Sequence, residues 1–348
     1  PSTTGASSLM TILNTAVVGL KGMGRRHLED LAAHPRATLS AVCDLDETRA
    51  RETAEKYGCR ATTSIEDIAA DDSIQAVSVV VPDFAHLDPC LTLARAGKHL
   101  LVEKPLATSV AEAEAIVRAV ADAGVTCMID FHNRYNPAFI SVKERLASGE
   151  LGTPQMMVAS LSDRIEVATE WFGWSGRTGP EWFLGSHIAD LACWLFDDYP
   201  VSVFAEGRKD VLASRGIDCY DVMQIHLSFK KGMATLQTSW IVPKGWPTIC
   251  DFWVSLQATE GRADVRLANQ GVTIADSRGN LDWPFLIGGM PVGEEEFGFC
   301  QLPIRDFVRA VLEGRPAPVP VAEGLKNVKI IAAALESAKE NRVVEVKL

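Results

Sequence analysis

Apolar residues in the first third of the chain come in short runs divided by amphipathic stretches. Residues 15–20, 38–43 and 76–81 are near-continuous apolar runs, the pattern of strands buried on both faces. Between and after them, residues 23–33, 47–57, 85–96 and 110–123 carry apolar positions at helical spacing. Residues 99–102 and 125–129 add two further strands. Strands alternating with helices at this interval predict a doubly wound parallel sheet of the Rossmann kind.

The rhythm changes near Asp130. A helix bearing Phe139, Val142 and Leu146 on one face leads into β-rich text. Residues 155–160, 201–206, 222–229, 233–240, 252–258 and 263–267 read as strands, several joined by glycine-containing turns such as 230–232 and 260–261. They predict a large, mostly antiparallel open sheet. Two helices close the chain, 304–313 and one bearing Leu325, Val328, Ile331 and Leu335, with residues 314–320 between them. The expected class is therefore α/β: an N-terminal Rossmann domain over 10–130 and a C-terminal α+β domain over 131–348. Residues 1–9 are small and polar and read as a tail ahead of a native start at Met10.

Composition narrows the function classes. A chain of 348 residues suits two domains. Its formal charge of -11 disfavours nucleic acid and anionic membranes as partners. No apolar run reaches the length of a membrane span, and the first residues lack the basic and apolar segments of a secretory signal. Eight dispersed cysteines form no C-x-x-C pair, which predicts a reduced, cytoplasmic protein without structural metal. All eight tryptophans lie at or after Trp171, so ring-stacking chemistry, or plain core filling, belongs to the second domain.

Two stretches carry candidate chemistry. Leu100-Leu101-Val102-Glu103-Lys104-Pro105 runs from an apolar strand into a carboxylate and an amine. Ligands bind beyond the carboxyl ends of strands in such sheets, which makes Lys104 a candidate proton carrier. Gly19-Leu20-Lys21-Gly22-Met23-Gly24 lies between the first strand and the first helix and approximates G-x-G-x-x-G, with Lys21 where the second glycine belongs. Gly22 would relieve the turn, Met23 opens the helix, and the free N–H groups of that helix start favour phosphate. Asp44 follows the second strand, twenty positions beyond Gly24. A carboxylate there binds the ribose hydroxyls of NAD and repels the 2′-phosphate of NADP; its alternative role is to cap the next helix. Arg49 leaves a narrower opening for NADP.

With these residues, Val81-Pro82-Asp83-Phe84-Ala85-His86, Asn133-Arg134-Tyr135-Asn136-Pro137, Gly149-Glu150-Leu151-Gly152 and Gly185-Ser186-His187-Ile188-Ala189-Asp190-Leu191, the chain resembles the Gfo/Idh/MocA oxidoreductases from Met10 to Val346. The resemblance implies NAD-dependent oxidation of a secondary alcohol on a sugar, sugar derivative or cyclitol, or the reverse reduction. It sets Pro82, Asp83, His86, Glu103 and Lys104 beside the nicotinamide and ribose, and implies a cis Lys104–Pro105 bond. It implies a homodimer or homotetramer formed through the open sheet. Lys104 and His187 become the catalytic pair, with His187 as the better general base by its near-neutral pKa; the alternative for His187 is a core histidine. Asn133, Arg134, Trp174, Phe183 and Asp190 are set toward the substrate.

One departure stands out. The family commonly carries D-x-G-x-H, and here Phe183 occupies the aspartate's position in Phe183-Leu184-Gly185-Ser186-His187. Trp171, Phe172, Trp174 and Trp182 crowd the same segment. A fully hydroxylated substrate would lose partners there, so the sequence predicts one with an apolar or aromatic face, such as a glycoside or a deoxy or anhydro sugar. NAD-dependent glycoside hydrolysis by transient oxidation, and non-catalytic sugar sensing, are the competing classes.

Overall fold

The computed structural model describes residues 11–348 apart from 277, 285–287, 289 and 293–294. Six parallel strands form the first sheet: β1 (Leu13–Val18), β2 (Ala37–Cys43), β3 (Arg60–Thr62), β4 (Ala76–Val79), β5 (His99–Glu103) and β6 (Cys127–Asp130). Their order is β3-β2-β1-β4-β5-β6, so the strand order reverses between β1 and β4. Helices α1 (Met23–Ala33), α2 (Glu47–Tyr57), α3 (Ile65–Ala69), α4 (Leu87–Arg95) and α5 (Val110–Ala123) connect them. Val17, Val77, Leu100, Leu101, Val102 and Ile129 are buried completely, as double-sided cover requires. The pattern of apolar runs did not reveal β3 or α3. β3 is a largely exposed edge strand reading Arg-Ala-Thr, and α3 is too short to display a period.

The second sheet follows α6 (Pro137–Ala147). It contains β7 (Pro154–Arg164), β8 (Ser202–Arg208), β9 (Val222–Phe229), β10 (Gly232–Val242), β11 (Cys250–Ala258), β12 (Arg262–Arg266) and the terminal strand Val344–Glu345. The order is β12-β11-β7-β10-β9-β8-terminal strand. Every pair is antiparallel except β7 with β10, so the sheet is mixed but mostly antiparallel, as expected. β7 outruns its expected span, because β10 and β11 both ladder onto Ser162 and Asp163 or their neighbours despite the polar text. α7 (Ser186–Phe196) and α9 (Val321–Glu340) pack on the sheet; α8 (Leu302–Glu313) packs on α1, β5 and β6.

The last helices tie the two sheets together. The Ile129 N–H donates to the Val319 carbonyl at 3.0 Å, and α9 touches α5 and β6 as well as α7 and β8.

Candidate active site

The glycine loop is shaped by close backbone approach. A Cβ on Gly19 would stand 2.4 Å from the Val80 carbonyl oxygen, and one on Gly24 would stand 2.0 Å from the Gly19 oxygen. Gly19 and Gly22 both adopt positive φ. α2 and α5 are capped by the Asp46 and Ser109 side chains, whereas α1 has no side-chain cap and no acid in its first turn. The Gly24 N–H donates to the Lys21 carbonyl at 2.8 Å, and no side chain covers the helix start, which is therefore open to an anion, with Lys21 exposed alongside. Asp44 accepts from the Leu20 N–H at 3.0 Å and from Arg49 Nη1 at 2.8 Å, which places its carboxylate on the loop at the end of β2. The loop, the open helix end and the carboxylate fit a dinucleotide; bound there, it would accept or supply hydride.

Lys104 stands at the carboxyl end of β5, and its bond to Pro105 is cis. Its Nζ donates to the Phe183 carbonyl at 2.8 Å and lies 4.1 Å from the Phe183 ring centroid. A ring face and a carbonyl thus hold the amine where the family pattern has a carboxylate. Burial is the largest influence on Lys104 and lowers its pKa, against the opposing charges of Glu103, Asp83, Asp163 and Asp130.

His187 lies in the first turn of α7, in the other domain, and is near enough for the Lys104 charge to act on it. Burial first, then the charges of Lys104 and His132, hold His187 well below the ordinary imidazole range, so it is neutral. Asn133 Nδ2 lies 3.2 Å from His187 Nδ1, and the His132 ring lies 4.8 Å from the His187 ring. Around this pair, Phe172 and Trp174 stack at 4.4 Å, Phe183 meets Phe172 edge-on at 5.1 Å, and Trp240 backs Phe183 at 5.7 Å. Trp174 also meets Phe84, which carries the Arg177 guanidinium at 3.7 Å.

Residues 13–131 match the oxidoreductase family with an NAD-binding Rossmann fold, and residues 139–264 match the GFO/IDH/MocA C-terminal domain. The chain belongs to the Gfo/Idh/MocA family. As a member it is an NAD-binding oxidoreductase. It is 29% identical to scyllo-inositol 2-dehydrogenase (NAD(+)) of Bacillus subtilis, over 95% of both chains. It is 26% identical to inositol 2-dehydrogenase of Rhizobium meliloti, over 95% of this chain and 98% of that one. The structure of GenD2 from gentamicin A biosynthesis in complex with NAD superposes with a TM-score of 0.86 at 28% identity, covering 98% of each chain.

Within this Gfo/Idh/MocA site, several expected ligands are turned elsewhere. His86 places Nδ1 2.8 Å from the Pro105 carbonyl and Nε2 3.0 Å from that of Val81. It braces the Lys104–Pro105 segment rather than offering a nitrogen to the ribose. Glu103 points back to His27 Nε2 at 3.5 Å, and Asp130 lies 3.3 Å from the same nitrogen. The two carboxylates end adjacent strands in register, and α1 supplies the cation between them. His27 Nε2, Glu103 Oε1 and Asp130 Oδ2 lie close enough together to hold an ion, and His27, raised to about 9, fills that role as an imidazolium. Asp83 accepts from Thr178 Oγ1 at 2.6 Å, a bond between the domains, so only part of its carboxylate is left for the cofactor. Pro82 precedes it and is half-buried.

Arg134 and Asp190 are likewise redirected. Arg134 forks onto Asp190 at 2.9 and 2.6 Å, and Nη2 also reaches Glu323 at 3.2 Å. Both are largely buried, so this pair locks α7 and α9 to the segment after β6 instead of facing substrate.

Two buried carboxylates escaped sequence reasoning. Asp163 is the penultimate residue of β7, and burial pushes it up to about 7 against the influence of Cys250, Lys104 and Trp240. Glu181, before Phe183, is also pushed by burial to about 7, and its Oε2 has no hydrogen-bond partner. Neither belongs to a motif; only the facing of strands and the π-helical turn at Glu181–Gly185 brings them inward.

Proposed function

We propose that this enzyme oxidises a secondary alcohol on a cyclitol, sugar or sugar derivative with NAD, and that its substrate turns an apolar face to Phe172, Trp174 and Phe183. The observation that carries this reading is the seating of Lys104 on the Phe183 ring and carbonyl beside His187. An amine at the end of β5 and an imidazole on α7 supply proton transfer and oxygen recognition, while an aromatic wall stands where a polyol would want acceptors. The names of the relatives, scyllo-inositol and inositol 2-dehydrogenases and GenD2 of gentamicin A biosynthesis, support a polyol or a glycosidic ring. Asp44 beside the glycine loop favours NAD over NADP.

A panel of inositols, hexoses, deoxy sugars and glycosides, followed by nicotinamide absorbance, tests the reading. Ring-modified sugars should exceed free inositols in kcat/KM. Phe183→Asp should reverse that order by about tenfold, roughly one polar contact. Equal preference in both proteins would refute the aromatic-face assignment, and no turnover of any polyol would refute the reaction.

The exposed face of the second sheet is the surface we assign to a homodimer or homotetramer. Met156 and Met233 are register partners there and are about half exposed, at 47% and 46%. The buried thiols of Cys43, Cys90, Cys127, Cys193 and Cys219 suit a reducing cytoplasm. Among the described residues no helix is long and apolar enough to cross a membrane.

A further inference from the structure

Among the described residues, one side chain lies within hydrogen-bonding distance of His187: Asn133, at 3.2 Å from Nδ1. Asn133 is 5% exposed and His187 7%, so water does not compete freely for that contact. An amide nitrogen has donors and no acceptor, so the ring nitrogen facing it must carry the lone pair. A neutral imidazole then has its single proton on Nε2. We propose that Asn133 is a positioning residue that fixes His187 as an Nε2–H hydrogen-bond donor to the substrate oxygen, leaving Lys104 as the group that takes the hydroxyl proton.

The assignment rests on the polyol oxidation proposed above and reverses the roles that an unperturbed histidine would suggest. In that oxidation the carbinol C–H bond breaks and its electron pair leaves with the hydride to NAD. The O–H proton passes to the lone pair of neutral Lys104 Nζ, and the O–H electron pair becomes the second C–O bond. His187 donates a hydrogen bond to that oxygen throughout and gives up no proton. Lys104 then releases its proton to solvent. Neutral Lys104 keeps an N–H for the Phe183 carbonyl at 2.8 Å and still has a lone pair. Burial lowers both groups toward the neutral forms this division needs.

The test begins without substrate. Nitrogen NMR of 15N-histidine-labelled enzyme with NAD bound should show His187 protonated on Nε2 and bare on Nδ1. Asn133→Asp, which presents an acceptor, should turn the ring to the Nδ1–H form and slow polyol oxidation by about a hundredfold. His187→Gln retains an N–H donor and should stay within about tenfold of the parent, whereas His187→Ala should fall by about a hundredfold or more. A parent His187 carrying its proton on Nδ1 overturns the proposal, and so does a His187→Gln enzyme as slow as His187→Ala. If the parent oxidises no polyol, the proposed reaction falls, while the NMR spectrum still decides the tautomer.

Discussion

On the cofactor side of the cleft, His27 lies between Glu103 and Asp130 at 3.5 and 3.3 Å, with Ser78 on its other nitrogen at 3.2 Å. On the substrate side, Asp163 and Glu181 are as deeply buried, yet among the described residues no cation lies within ion-pair distance of either. Buried charge is matched in the first wall and left wanting in the second. A matched cluster fixes the ends of β5 and β6, and so the aim of Lys104. Unmatched carboxylates weaken the fold but retain hydrogen-bonding capacity for a guest. Arg134 and Asp190 show that the second domain also follows the first pattern where it needs rigidity.

The strongest way to break this contrast is to remove one member of a matched pair. Arg134→Ala strands Asp190, whose carboxyl burial already raises against the pull of Arg134. Loss of one partner of a buried pair costs about 3–5 kcal/mol, so denaturant unfolding should show a drop of that order. The change should act on stability more than on KM, because neither residue faces the cleft. A variant of unchanged stability, with a large rise in KM, would return both residues to the substrate.

The unmatched wall predicts the opposite sign. Asp163 is raised to about 7 in the folded protein, against 3.8 as its ordinary value. An acid with a raised folded pKa holds its proton more tightly when folded, so stability is lost as pH rises from about 4 through about 7. Asp163→Asn removes that loss. At pH near 8 it should stabilise the enzyme by on the order of 4 kcal/mol, and the gain should shrink toward zero as pH falls to about 4. Thermal unfolding of both proteins across that range checks it. A destabilised variant at every pH would mean that Cys250, Lys104 and Trp240 favour the Asp163 carboxylate by more than its burial costs.

The same contrast explains what could be read from residues alone. The parallel sheet, the glycine loop, Asp44 and the Lys104 strand end depend on neighbours within a few tens of residues, and their spacing announces them. Helices α1, α2 and α5 have the bounds their periodicity implies. The substrate wall depends on pairs far apart in sequence. Asp163 becomes informative only once β11 pairs Cys250 with it and Trp240 shares its end of the sheet. Arg134 and Asp190 looked like ligands because their partner was unknown: two charged residues in motifs, 56 positions apart, give no sign that they satisfy each other. His27 was hidden for another reason. It lies on the inner stripe of α1 among Leu28 and Leu31, where a histidine has no spacing to mark it. Yet Glu103 and Asp130, both closing apolar strands that pair in register, imply that some cation must stand between them.

That implication has its own pH signature, smaller than the other two. His27 is raised from 6.5 to about 9: burial alone would lower it, and the hydrogen bonds and charges of Asp130 and Glu103 outweigh that effect. A base with a raised folded pKa contributes stability that is fully present below its unfolded value and lost as pH rises through the folded one. Stability should therefore decline between about pH 6.5 and 9, by on the order of 3 kcal/mol. His27→Gln preserves a donor but not the charge, and should flatten that decline while lowering stability at pH 6. If the parent is equally stable at pH 6.5 and 9.5, the imidazole is neutral, and the two strand-end carboxylates must share a proton between themselves instead.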